Sequence, residues 1–113
     1  MVAKNTLSTS PPYAVESALK QLGGNLKIAR LRRNLTLEDV SGKLGAGVRA
    51  IADAEKGKPT TGIAVYVGLL WAYDLLGPMA ELADPASDIE GLSLAESRER
   101  ARSRTSKELD SDF

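Results

Sequence analysis

The chain has 113 residues, which is enough for one small domain with tails but not for two independent cores. It contains neither cysteine nor histidine, which excludes disulfide scaffolds, thiol chemistry, Cys/His zinc sites and histidine-based catalysis. We therefore expect no enzyme activity, no cofactor and no metal site. The lack of a long uncharged apolar stretch predicts a cytoplasmic protein without membrane contact.

The formal net charge of zero conceals an asymmetry along the chain. Residues 1–60 contain ten Lys/Arg and five Asp/Glu, residues 61–96 contain six acids and no base, and residues 97–113 contain five bases and four acids. A basic half beside an acidic half is expected if the first half faces phosphate groups. The alternative is that surface charge clusters by chance.

The N-terminal residues 1–12 are polar and end in Pro11-Pro12, which predicts a disordered arm. From Tyr13 to Asn34, apolar and small residues recur every three or four positions, as on one face of a helix. Gly23-Gly24 interrupts this pattern, so it predicts either one kinked helix or two abutting helices.

Two short helices follow, separated by a glycine-rich turn. Thr36 and Asp39 have the Ser/Thr-x-x-Asp/Glu spacing of a capping box, which predicts a helix that starts immediately after Thr36. The turn is predicted at Gly45–Gly47 and the second helix at Val48–Glu55. Gly57 then supplies the left-handed residue that ends this helix.

The most apolar segment, Ile63 to Tyr73, contains no charged residue, which predicts a buried helix at the centre of the domain. A proline at a favoured first helical position predicts a short helix over residues 78–83. A second Ser-x-x-Glu capping box predicts a helix over residues 93–102. Because no alternating strand pattern is present, the predicted fold class is all-α.

The segment LGGNLKIARLRRNLTLEDVSGKLGAGVRAIADAEKGKP resembles the Xre (phage-repressor-type) helix-turn-helix family. The spacing from Leu35-Thr36 through Gly45 to Glu55-x-Gly57 agrees with the family pattern without insertion. The later segment LLWAYDLLGPMAELADPASDIEGLSLAESR is similar to the C-terminal part of HipB-like antitoxin regulators, which are encoded beside HipA-type kinase toxins.

The resemblance implies a compact five-helix helix-turn-helix domain of the lambda-repressor-like type. We place this domain at residues 13–83, after the disordered arm, and expect a partly helical C-terminal extension at residues 84–102 and a disordered polar tail at residues 103–113. The resemblance also implies an ion pair between Arg30 and Glu55 that ties two helices together. The alternative is two independent surface charges.

The N-terminal part of the second helix in a helix-turn-helix enters the major groove of DNA. In this chain the corresponding positions are Gly47, Val48, Arg49, Ala52 and Asp53. We expect Arg49 to be the main base contact, because a guanidinium can bond guanine O6 and N7 together, while Val48 and Ala52 would pack on thymine methyls. Asp53 would either accept from cytosine N4 or, as we favour, form a surface salt bridge.

Three lysines complete the predicted DNA-binding set. Lys43, Lys56 and Lys58 lie near the end of the first short helix and after the second, where a phosphate clamp is expected. The alternative for each lysine is a solvated surface position.

A single domain of this kind recognises only half of a palindromic operator, so we expect a homodimer. The uncharged helix has more apolar residues than one core-facing helix needs, and we place a dimer or partner interface at Tyr66, Leu70, Trp71 and Tyr73. The alternative is that these residues only pack the core.

Two functions follow. The first is a sequence-specific transcriptional regulator that binds double-stranded DNA, acts as the antitoxin of a toxin-antitoxin pair, represses its own promoter and binds a HipA-like toxin through residues 78–83 and the tail. The second is a protein-interaction module, toxin-neutralising or scaffolding, that no longer recognises DNA specifically.

The alternating arginines from Arg98 to Arg104 suit an extended arm on DNA or an acidic partner, or a solubilising tail.

Overall fold

The computed structural model describes residues 6–111, with side chains described as far as residue 105. Between residues 6 and 111 the structure is helical and has no strand, so the predicted all-α class is confirmed. The ends of the predicted arm and tail, residues 1–5 and 112–113, lie outside the described residues. The elements in chain order are α1 (Thr6–Thr9), α2 (Tyr13–Arg32), α3 (Leu37–Leu44), α4 (Val48–Glu55), α5 (Ile63–Ala72), a 3-10 helix (Gly77–Glu81) and α6 (Ile89–Ser111).

The chain divides into two compact units, Met1–Gly77 and Pro78–Phe113. The first unit ends at Gly77, and the domain end predicted from the sequence is residue 83. The 3-10 helix Gly77–Glu81 contains no buried residue.

The core of the first unit lies between α2, α3, α4 and α5. Its largest fully buried side chains are Leu26, Val40, Ile51, Leu69 and Tyr73, and all four helices contribute at least one of them. Removing a side chain of this size from water stabilises the fold by about 1.5 to 3 kcal/mol. The four helices are therefore held as one packed body.

Helix α2 is a single helix of 20 residues that continues through Gly23-Gly24. Gly23 is buried where α2 crosses the end of α4. A Cβ atom at Gly23 would lie 2.7 Å from the backbone nitrogen of Gly57 and 2.8 Å from the carbonyl oxygen of Glu55. The glycine therefore allows the two backbones to approach closely, a role that the sequence pattern had not indicated.

The structure differs from prediction along α5. Its inner face is buried, with Tyr66 and Leu69 in the core, but Ile63 and Trp71 on its outer face are exposed. The helix is thus buried on one side only. Because the whole segment is uncharged, its composition predicted burial without indicating which side faces the core.

The second unit contains α6, which begins and ends outside its predicted range. The side chain of Asp88 accepts a 3.0 Å hydrogen bond from the backbone N–H of Gly91, so Asp88 rather than Ser93 caps the helix start. The helix continues to Ser111, through residues that were predicted to lack regular structure. Alanine, arginine, glutamate and leucine favour helix, and no glycine or proline follows Gly91.

The predicted arm also contains regular structure. Residues Thr6–Thr9 form one helical turn, closed by a 2.7 Å hydrogen bond from the backbone N–H of Ser10 to the carbonyl of Thr6. Pro12 then lies at the N-cap of α2. The described part of the arm is therefore partly helical.

Candidate nucleic-acid interface

Helix α4 is fixed to the rest of the first unit by its inner face. Ile51 and Ala54 are both 0% exposed and pack in the core, as the sequence predicted. The side chain of Glu55, at the end of the same helix, is also nearly inaccessible to solvent. The orientation of α4, and hence the direction of its outer face, is determined by these three positions.

The predicted ion pair between Arg30 and Glu55 is present. The Arg30 Nε donates to Glu55 Oε2 at 2.7 Å, and the Nη2 atom donates to Oε1 at 3.0 Å, so the contact is bidentate. The remaining Arg30 Nη1 donates to the carbonyl of Leu35 at 2.9 Å. The hydrogen bond to Glu55 raises the pKa of Arg30 above its ordinary value, which means that the charged form is favoured.

The turn between α3 and α4 is built from backbone features. Gly45 caps α3 in the left-handed conformation, with a φ of 70°. The hydroxyl of Ser41 donates to the carbonyl of Ala46 at 2.6 Å and tightens the turn. Gly47 is extended and exposed, and it begins α4 without a side-chain cap.

The outer face of α4 carries the predicted DNA-facing residues. Arg49 is exposed, and Ala52 and Asp53 are half-buried one turn further along the helix. Lys56, at the C-cap, is exposed. Val48 is half-buried at the first position of the helix. The structure therefore brings Arg49, Ala52, Asp53 and Lys56 onto one surface.

Asp53 forms the surface salt bridge that the sequence favoured. Its Oδ1 lies 3.0 Å from the Nζ of Lys58. The hydrogen bond from Lys58 lowers the pKa of Asp53, and Arg49 and Lys56 are close enough to lower it further. Three cations thus surround one carboxylate, and the local surface remains positive.

Lys43 does not join this surface. Its Nζ donates to the carbonyl of Ala72 at 3.4 Å and lies 5.8 Å from the centre of the Trp71 ring. The lysine therefore covers the end of α5, where an ammonium group stabilises the exposed carbonyls of a helix C-terminus. Its predicted place in a phosphate clamp with Lys56 and Lys58 is not supported by its position.

The predicted apolar interface is divided between the core and the surface. Tyr66 is 4% exposed and Tyr73 is 1% exposed, so neither can contact a partner. The hydroxyl of Tyr66 donates to the carbonyl of Lys58 at 2.9 Å, and burial raises the pKa of both phenols. Their placement at an interface was wrong, because spacings of three and four residues put them on the same inner face as Leu69. Leu70 is half-buried, and Trp71 is 57% exposed.

Arg33 contributes to the first unit in a way that the sequence did not indicate. Its guanidinium donates to the carbonyls of Ala29 and Tyr73, both at 2.9 Å, and lies 5.5 Å from the centre of the Tyr73 ring. It therefore joins the end of α2 to the end of α5. No motif marks such a contact, because its acceptors are backbone atoms.

Within residues 6–111, no helix combines the length and apolar character needed to span a bilayer. The described side chains also contain no group of three or more acidic residues placed to hold a metal ion. Comparison with models of known protein families, with curated proteins and with solved structures finds no match to this chain.

Proposed function

We propose that the protein is a sequence-specific DNA-binding transcriptional regulator, in which α3, the turn and α4 form a helix-turn-helix of the Xre, lambda-repressor-like type. The observation that carries this proposal is the division of α4 into two faces. The inner face is held in the core and by the Arg30–Glu55 ion pair, whereas the outer face carries Arg49 and Lys56 beside the Asp53–Lys58 salt bridge.

In this arrangement α4 enters the major groove and Arg49 contacts a base edge. Lys56 lies at the far end of the same surface and contacts a phosphate. Lys58 neutralises Asp53, which reduces the repulsion that a carboxylate would otherwise impose on the DNA backbone. Val48 and Ala52 supply small apolar surface between the charged groups.

We further propose that the regulator binds a palindromic operator as a homodimer and serves as the antitoxin of a HipA-like toxin. The support for the dimer is the exposed side of α5, where Trp71 and part of Leu70 are accessible. The support for the antitoxin role is the similarity of residues 69–98 to HipB-like regulators.

Selection from a pool of randomised duplexes tests the proposal. The full-length protein should enrich one site, and the site should be a palindrome if two copies bind. Arg49→Ala should lower the preference for that site over scrambled duplex by about 1 to 3 kcal/mol, because it removes the bidentate base contact. Lys27→Ala, which removes an exposed cation from α2, is the matched control and should leave the preference unchanged. A pool without enrichment would contradict the proposal.

One observation favours the second candidate function, a protein-interaction module. Gly47 begins α4 without a side-chain hydroxyl, and Asp53 places a carboxylate on the outer face, so the helix has few donors for DNA. Under this alternative the chain shows no site preference, and Trp71 becomes the anchor of a protein contact.

A further inference from the structure

Four alternating arginines in the second unit lie on a helix rather than on an extended arm. Arg98, Arg100, Arg102 and Arg104 belong to α6, and all four are exposed. In an extended chain, residues that alternate in sequence lie on one side. On a helix they do not, so the arginines have a different geometry from the one that their spacing first indicated.

Helical geometry places the arginines on two opposite sides of α6. Successive residues are rotated by about 100°, so Arg98 and Arg102 lie about 40° apart and form one stripe. Arg100 and Arg104 form a second stripe, about 160° from the first. Each stripe contains two guanidinium groups that are one helical turn apart.

The two sides between the stripes differ from each other. One side carries Glu96, Glu99 and Ser103, whereas the other carries Ser97, Ala101 and Thr105. All of these residues are exposed. Between residues 96 and 105 the helix therefore has an acidic side, a narrow side of small neutral residues, and a cationic stripe on either flank.

We propose that α6 lies in the major groove of double-stranded DNA, with the Ser97–Ala101–Thr105 side facing the groove floor. The choice of DNA as the ligand rests on the proposed function. A helix with its side chains is about 10 to 12 Å across, and the major groove is about 12 Å wide. The two arginine stripes then face the two phosphate strands that border the groove.

The charge distribution favours a groove over a flat acidic surface. A flat partner would contact one arginine stripe and leave the other in solvent, whereas a groove has anionic walls on both sides. Glu96 and Glu99 face away from the groove, so they are not brought near phosphates. Glu90, in the first turn of α6, lies on the groove side, so the contact is limited to residues 96–105. Ala101 and its neighbours are small enough for the helix to approach the base edges.

Two variants with the same charge change test the orientation. In the full-length protein, Ala101→Glu places a carboxylate on the groove side of α6, and Ser103→Glu places one on the acidic side. At low salt, Ala101→Glu should weaken binding to a scrambled duplex of 20 base pairs by about tenfold or more, and Ser103→Glu by less than about threefold. Circular dichroism should show equal helix content in the two proteins. Equal losses of affinity would overturn the proposed orientation.

A third variant tests the phosphate contacts. Replacing the four arginines by glutamine should make the dependence of log affinity on log salt less steep by about 0.9 for each lost phosphate contact, and so by about 2 to 4. An unchanged slope would overturn the proposal and would be the expected result if α6 bound an acidic protein. Site preference, measured separately, distinguishes this failure from failure of the proposed function. If the wild type selects a site but the four-arginine variant has an unchanged salt slope, the proposed function stands and the role of α6 fails. If the wild type selects no site but the variant has a shallower salt slope, the role of α6 stands and the proposed function fails.

Discussion

At the scale of single residues, the Arg30–Glu55 ion pair is the contact in which each side chain depends most on its partner. Both side chains are removed from water, and Arg30 has hydrogen bonds to Glu55 and to the carbonyl of Leu35. A buried charge is tolerated only when its partners are in place, so the loss of one partner is more damaging than the loss of both.

We therefore predict that Arg30→Met and Glu55→Met each lower the free energy of unfolding by about 3 to 5 kcal/mol. The double variant should be markedly more stable than the sum of the two losses implies, because it leaves no unpaired charge in the interior. Urea denaturation of the four proteins provides the measurement. Strictly additive losses would show that the two charges act independently.

Gly23 and Gly24 provide a second test, since they are neighbours in one helix but have different surroundings. A Cβ at Gly23 would meet the backbone of Glu55 and Gly57, whereas a Cβ at Gly24 has nothing within 4 Å. Gly24→Ala should stabilise the protein by up to about 1 kcal/mol through helix propensity. Gly23→Ala should destabilise it by about 1 to 3 kcal/mol, because the packed backbones must move apart. Thermal unfolding of both variants measures the difference, and a stabilising Gly23→Ala would be inconsistent with the close approach.

At the scale of elements, the start of α3 is the clearest local structure. The Thr36 hydroxyl accepts from the backbone N–H of Asp39 at 3.0 Å, and the Asp39 carboxylate accepts from the backbone N–H of Thr36 at 2.9 Å. The capping box was predictable because both halves of it are encoded within four residues. The hydrogen bond from the Thr36 backbone, together with that from its side chain, lowers the pKa of Asp39 below its ordinary value of 3.8.

A lowered pKa in the folded state makes this cap dependent on pH. The stabilisation is fully present above the pKa of the unfolded chain and is lost as the pH falls through the lower, folded value. Asp39→Asn should therefore destabilise the protein at pH 7, and the difference from wild type should shrink below pH 3.8. Thr36→Ala should cost about 1 kcal/mol at neutral pH.

Glu38→Gln is the control for this cap, because Glu38 lies in the same helical turn but outside the capping box. Its effect should be smaller than that of Asp39→Asn when unfolding is followed in urea at pH 7. Equal effects of the two substitutions would indicate that only the helix dipole is involved.

The elements that were mispredicted lack this kind of local signal. In α5 every position is uncharged, so the contrast between polar and apolar residues that identifies a core face is missing. Tyr66 and Tyr73 were consequently assigned to the wrong side. In α6 the residue that caps the helix is Asp88, which lies shortly after the helix-breaking pair Asp84-Pro85. The predicted helix therefore started too late.

At the scale of the whole molecule, the order of helices and the core of the first unit were largely predictable. Ile51 and Ala54 were assigned to the core from their spacing, and Gly57 has the left-handed φ of 70° expected of a helix terminator. What could not be predicted depends on contacts between distant segments, such as Gly23 against the end of α4 or Arg33 against Tyr73. Such contacts involve backbone atoms, which leave no pattern in the sequence.

The position of Trp71 has a practical consequence. It is the single tryptophan of the chain, it is 57% exposed, and Lys43 lies over its ring. The tryptophan component of the intrinsic fluorescence therefore originates from one patch on α5. A protein partner that covers this patch, a second copy of the chain included, would shift the tryptophan emission to shorter wavelength, so the native chain carries its own fluorescent probe for protein contacts at α5.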